Sequence, residues 1–292
     1  MLSTDLILPD DEPEALQPWW ERNEPQLHEG NDGPEGRHLF LVLHGLGGGA
    51  YETNPLTRWI NDAGYAVETV IYPGHGLFEL WMTHSRWEDW VEHVSAILEK
   101  RLKEYDKVSL LGFSTGCPLS IKLALKYPVA SMIMLAPFFQ LKSEWYLGAK
   151  LDTYVKNLYR LWPYVPVISL PIANKEGRLL AEAYRPYSFY SVHTVRSALD
   201  LIESILPHTS QLDIPLLMIQ SEHDKVVCPA KAKSVFDAWP AEPKEWVGLT
   251  ESNHILCWDN DKQTVIDRTL GFIRRFHGSG TQQTVDSASR SA

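Results

Sequence analysis

The chain has 292 residues, of which 44% are hydrophobic, and a formal net charge of -10. That length suits one large α/β domain with or without an insertion, and the apolar share is enough for a real core. The acidic balance argues against nucleic acid or an anionic membrane surface as partner, and no stretch is apolar for long enough to span a bilayer.

Residues 1–36 are rich in Asp, Glu, Pro and Gly and are expected to form an acidic, extended or partly ordered arm. Their first eleven lack the basic and apolar regions of a secretory signal. An apolar run over 38–43 predicts a buried strand and leads into His44-Gly45-Leu46-Gly47-Gly48-Gly49. A helix is predicted over 53–63, then a strand over 65–71. Residues 86–105 show helical period, with Val91, Val94, Ile97, Leu98 and Leu102 on one side. A strand over 107–111, a helix over 115–127 and a strand over 131–135 follow. This alternation implies a parallel sheet covered by helices on both faces.

The alternation stops at Phe138. Between 138 and 206 no strand pattern stands out, and aromatics and prolines are frequent, so an inserted, mostly helical cap is expected there. Strands resume at 215–220 and 245–247, with helices over about 230–238 and 262–275. The Gly-, Ser-, Thr- and Gln-rich residues 278–292 are expected to be a disordered tail. The division is therefore an arm (1–36), a core in two pieces (37–137 and 207–277), a cap (138–206) and a tail (278–292). Most of the eleven tryptophans are read as packing residues. Trp145 and Trp162, in the cap, are candidates for contact with an apolar substrate. The three cysteines, Cys117, Cys228 and Cys257, show neither metal-ligand spacing nor a disulfide framework, so a reduced cytoplasmic chain is expected.

Chemistry enters at Gly112-Phe113-Ser114-Thr115-Gly116. A G-x-S-x-G between a strand and a helix forces strained backbone angles on the serine and lifts its hydroxyl clear of both elements. A serine nucleophile needs a base, and the base needs an acid to orient it. In a parallel sheet such groups collect at the carboxyl ends of strands. Asp224 follows the strand at 215–220, and His254 follows the next one. Asp213 precedes its strand, Asp200 lies in a helical segment, and Asp259 reads as the acid that starts the last helix, so Asp224 is the expected acid. The glycine run after the first strand lacks the Gly-Lys-Ser/Thr of a phosphate loop. It is read instead as half of an oxyanion hole, the two donors being the backbone N–H groups of Leu46 and Thr115. His44 is read as a brace for that loop, His75 as structural and His223 as solvent-facing.

Five segments together resemble the serine α/β-hydrolases, most of all the bacterial carboxylesterase and monoacylglycerol lipase group. They are His44-Gly45-Leu46-Gly47-Gly48, Tyr72-Pro73-Gly74-His75-Gly76, the elbow at Ser114, Asp224 with its neighbours, and Ser252-Asn253-His254. The resemblance covers about residues 38–276. It implies the α/β-hydrolase fold: a mostly parallel central sheet with helices on both faces and an inserted helical cap. It also implies a Ser114-Asp224-His254 triad that needs no cofactor and no metal. Asn253 stands where many relatives carry Gly, and a left-handed backbone at Asn253 is one way to keep the loop. The expected activity is hydrolysis of small-molecule carboxylic esters, with short or medium acyl chains or a monoacylglycerol, through an acyl-enzyme. Alternatives are a lysophospholipase, a thioesterase or a carbon–carbon bond hydrolase with the same residues, and, in another class, a small-molecule binding protein with little turnover.

Overall fold

The computed structural model describes residues 23–31, 36–76, 79–142, 155 and 163–277. Its centre is a seven-stranded sheet. In chain order the strands are β1 (Gln26–His28), β2 (His38–Leu43), β3 (Ala66–Val70), β5 (Lys107–Phe113), β6 (Met132–Leu135), β9 (Leu216–Ser221) and β10 (Lys244–Leu249), and their spatial order is β1-β3-β2-β5-β6-β9-β10. Every pairing is parallel except that of β1 with β3, where Gln26 faces Thr69. The arm expected over 1–36 therefore supplies an antiparallel edge strand. Its first 22 residues, and the tail over 278–292, lie outside the described residues.

The strands read as unbroken apolar runs because both of their faces are buried. Successive side chains point to opposite faces. Leu39, Leu41, Leu43, Leu110, Met132, Met134, Leu216 and Met218 line one face. Phe40, Val42, Leu111, Phe113, Ile133, Leu135, Leu217 and Ile219 line the other. The first face is covered by helices α2 (Trp87–Glu104), α3 (Gly116–Ala124), α5 (Val192–Ile205) and α6 (Pro229–Asp237), and the second by α1 (Asn54–Asp62) and α7 (Lys262–His277). Arg101 forks onto Glu68 with two bonds of 2.7 Å and pins α2 to β3.

The capping segment departs from the sequence expectation in two ways. It holds strands as well as helix α4 (Lys175–Glu182): β7 (Tyr164–Pro166) and β8 (Tyr187–Ser191) pair antiparallel. They form a three-stranded sheet with β4 (Glu79–Trp81), which comes from the core half of the chain. Trp81 stacks on Phe189 with ring centroids 4.1 Å apart. Further along, α5 packs on α2 and α3, and its Leu201, Ile202 and Ile205 join the buried core. Among the described residues no helix is long and apolar enough to cross a membrane.

The crossing of β2 and α3 leaves no room at Gly116, where a Cβ would lie 2.1 Å from the Leu43 carbonyl oxygen. At Gly271, on α7, a Cβ would meet only the tip of Arg275 at 3.4 Å. Gly116→Ala should therefore destabilise by roughly 3 kcal/mol or more. Gly271→Ala should be neutral or gain up to about 1 kcal/mol. Urea unfolding of both variants checks this, and equal stabilities would refute the close approach at Gly116.

Candidate active site

Strand register places the candidate residues together. Leu43 faces Gly112, Phe113 faces Leu135, Leu135 faces Ile219, and Ser221 faces Leu249. The loops that follow β2, β5, β9 and β10 therefore emerge side by side at the carboxyl edge of the sheet.

Ser114 occupies the turn between β5 and α3 with φ 51°, in the left-handed region. Such an angle costs a non-glycine residue about 1–3 kcal/mol. It is held by three backbone bonds: Ser114 N–H donates to Leu135 (2.9 Å), and the Ser114 carbonyl accepts from Cys117 and Phe138 (3.1 Å each). The result is a hydroxyl that meets His254 Nε2 at 3.0 Å.

His254 Nδ1 lies 2.8 Å from Asp224 Oδ2. Because a carboxylate only accepts, Nδ1 carries the proton and Nε2 is free to accept from Ser114; the tautomer is assigned from these partners. Asp224 is 1% exposed. Burial opposes its ionisation, but His254 and the N–H groups of Val226 and Val227 outweigh that and hold its pKa below the usual value. Those two N–H groups reach Oδ1 at 2.8 and 2.9 Å, and Gln220 Nε2 reaches Oδ2 at 3.1 Å.

The other candidates sort out clearly. Asp213 is exposed, and Asp200 is part-exposed and sits 3.8 Å from Arg196. Asp259 is buried, but its carboxylate accepts from the backbone N–H groups of Asn253 (2.7 Å), Ala173 and Asn174 (2.8 Å each). It is thus a tie between the histidine loop and the capping segment rather than simply a helix-starting acid. Asn253 does not adopt a left-handed backbone; its side chain accepts from the Lys225 N–H at 3.0 Å and joins the acid loop to the histidine loop. His223 is exposed, and all three cysteines are free. Trp145 and Trp162 lie outside the described residues.

Leu46 and Thr115 face the same cavity as Ser114 and His254. Among the described residues, neither N–H is taken up by a turn or loop carbonyl. The cavity has a volume of about 410 Å³, and its wall is mostly apolar, with Phe113, Phe138, Leu141, Val195, Val226 and Ile255. Sequence reasoning missed the strip from Val165 to Pro171 that closes one side, because that strand is short and broken by proline. It also missed Glu52, a buried carboxyl in the cavity wall, since a glutamate just ahead of a helix reads as an ordinary helix-start acid.

The sequence pattern of the serine aminopeptidase S33 family matches residues 34–261. The chain belongs to this family. Proteins of similar sequence include a carboxylesterase of Bacillus subtilis (strain 168), 22% identical over 82% of this chain and 94% of that protein. A thermostable monoacylglycerol lipase of Bacillus sp. (strain H-257) is 25% identical over 85% of this chain and 93% of that protein. Among solved structures, a metagenome-derived lipolytic enzyme superposes with a TM-score of 0.74 at 23% identity, covering 87% of this chain and 98% of the other. The fold is that of the α/β-hydrolases, and this family member is a hydrolase.

Two buried histidines brace the site from below. His44 Nδ1 lies 2.7 Å from the Gly45 carbonyl, and the His44 ring stacks on Tyr72. His75 packs edge-on to Tyr72 and Trp90. Burial lowers the pKa of both, that of His75 to about 4. Between that value and the ordinary 6.5, the unfolded chain binds a proton at this position and the folded chain does not. The contribution is thus fully present above about 6.5 and is lost as pH falls towards 4. Glu52, whose pKa is raised to about 8, acts with the opposite sign over part of that range, so a variant is needed to isolate His75. The stability advantage of the wild type over His75→Asn should shrink by about 2–3 kcal/mol between pH 7.5 and 4.5, as measured by urea unfolding. A difference that does not vary with pH would show that His75 is not held neutral.

Proposed function

We propose that the protein is a carboxylic ester hydrolase that works through an acyl-enzyme on Ser114. The observation that carries this reading is the continuous hydrogen-bonded chain from Ser114 through His254 to Asp224, opening into an apolar cavity. The carboxylesterase and monoacylglycerol lipase relatives support the same bond type.

In this mechanism Ser114 Oγ attacks the ester carbonyl carbon while His254 Nε2 takes the hydroxyl proton. The carbonyl oxygen becomes an oxyanion, to which Leu46 and Thr115 donate their N–H groups. As the tetrahedral centre collapses, the carbon–oxygen bond to the alcohol breaks, and His254 returns the proton to the leaving alcohol. Water, deprotonated by the same nitrogen, then attacks the acyl carbon. The acid departs and Ser114 is restored. Asp224 remains ionised throughout and stabilises the imidazolium that forms twice in each cycle.

The cavity wall suits an apolar acyl group of short to medium length or a monoacylglycerol. We assign residues 138–206 to substrate choice rather than bond breaking. Among its described residues the strip from Val165 to Pro171 and Val195 at the start of α5 face the cavity, while Leu201, Ile202 and Ile205 of α5 are built into the core.

Ser114→Ala should abolish p-nitrophenyl ester turnover without lowering the melting temperature, and a fluorophosphonate should label the wild type at Ser114 alone. Asp224→Asn should keep the fold and cut kcat by about 10⁴-fold, because the amide's NH2 favours the wrong imidazole tautomer. Ester hydrolysis that survives Ser114→Ala would defeat the assignment.

Val195 lines the cavity and is only part-buried. Val195→Trp should reduce kcat/KM for decanoate esters by at least tenfold relative to acetate, because it fills acyl space and leaves Ser114 untouched. Equal loss on both esters would place Val195 outside the acyl site.

A further inference from the structure

Glu52 is 5% exposed and has no basic side chain paired with it among the described residues. A buried carboxyl group without a counter-ion is costly, and stability alone favours an apolar or amide side chain in its place. What it does have is backbone. Gly45 N–H donates to Oε2 at 2.7 Å. That donor immediately precedes Leu46 in the chain. The chain wraps the group so closely that a Cβ on Gly48 would lie 2.2 Å from it, and one on Gly45 would lie 3.0 Å from Oε2. From the opposite side the Tyr190 ring presses on Gly47, where a Cβ would come within 2.6 Å of it. The glycine run is therefore a loop moulded between one carboxyl group and one aromatic ring.

We propose that Glu52 is the positioning residue of the oxyanion hole: by accepting the Gly45 N–H, its carboxyl group sets the direction in which the Leu46 N–H points. The proposal rests on the reading of Ser114 as the nucleophile. An oxyanion donor works only if it is aimed before the charge develops, since reorienting it during the reaction would cost the stabilisation it supplies. Leu46 sits in a loop with no strand or helix of its own to aim it. The bonds that close the loop on itself, Gly48 N–H to Gly45 (3.3 Å) and Glu52 N–H to Gly49 (3.2 Å), are long. The 2.7 Å bond to the carboxyl is shorter than both.

Glu52→Met tests this, because it keeps an unbranched side chain of similar length and removes the acceptor of the Gly45 N–H. Active-site titration with a fluorophosphonate first counts the competent sites, so that a loss of folded protein is separated from a loss of rate per site. We expect kcat per competent site for p-nitrophenyl acetate to fall about 10- to 100-fold, with KM within about twofold. The rate constant for phosphonylation of Ser114 should fall by a similar factor, because that transfer also places a charged oxygen in the hole. Gly48→Ala, which retains Glu52 but must displace its carboxyl, should give the same split and serves as the test where Glu52→Met does not fold. Per-site kcat and phosphonylation rates within twofold of the wild type in either folded variant would overturn the proposal. A wild type that is phosphonylated but hydrolyses no ester would overturn the ester reading alone, since the labelling rate still tests Glu52. A wild type that is not labelled at Ser114 would overturn both.

Discussion

The rest of the site depends on one backbone constraint, the left-handed turn at Ser114. Its cost of about 1–3 kcal/mol is comparable to what three well-formed backbone bonds supply, at roughly 1 kcal/mol each. Those bonds come from β6, from the start of α3 and from the segment leading to the cap. The turn is therefore stable only inside the assembled sheet. α3 can run back across β2 only because Gly116 has no Cβ to strike Leu43. Moving that helix outward would carry Thr115 away from Leu46 and would widen the hole between their N–H groups.

Around that turn, the polar groups of the site are held mainly by backbone rather than by opposing charges. Val226 and Val227 hold Asp224; Gly45 holds Glu52; Asn253, Ala173 and Asn174 surround Asp259. Backbone N–H groups carry no side-chain entropy and, within an intact loop, cannot swing away. Each buried carboxyl group thus fixes the shape of the loop around it. The exposed ion pairs, such as that of Lys233 with Asp237, contribute little by comparison.

Much of this was legible in the sequence, for physical reasons. The central strands are buried on both faces and so appear as apolar runs. Ser114, Asp224 and His254 fall at strand ends because a parallel sheet collects its loops there, and the structure links Ser114 to His254 and His254 to Asp224 by hydrogen bonds. The capping strands were not legible. Tyr164–Pro166 and Tyr187–Ser191 are short, their burial is incomplete, and one of their pairing partners is distant in the chain. β1, with its polar Gln26 and His28, gives no apolar signal at all. The surroundings of Glu52 and Asp259 were hidden for a different reason. Each is a single acid next to a helix, and nothing in its spacing marks the backbone N–H groups it accepts, Gly45 for Glu52 and Asn253, Ala173 and Asn174 for Asp259. Asn253 likewise looked like a stand-in for glycine, whereas its side chain makes a bond that glycine lacks.

The bridge at Asp259 bears on how this fold diversifies. His254 N–H donates to the Pro171 carbonyl, and Asp259 grips Ala173 and Asn174 on the same stretch. Two anchors therefore fasten the middle of the insertion to the loop that carries His254. Recombination with a relative's insertion that replaced this stretch would bring a new substrate wall and remove both anchors in one event. The exchangeable module is accordingly smaller than the insertion itself: it must end before Pro171, leaving the anchored stretch with its parent core, or else take a compatible 250–260 loop along with it.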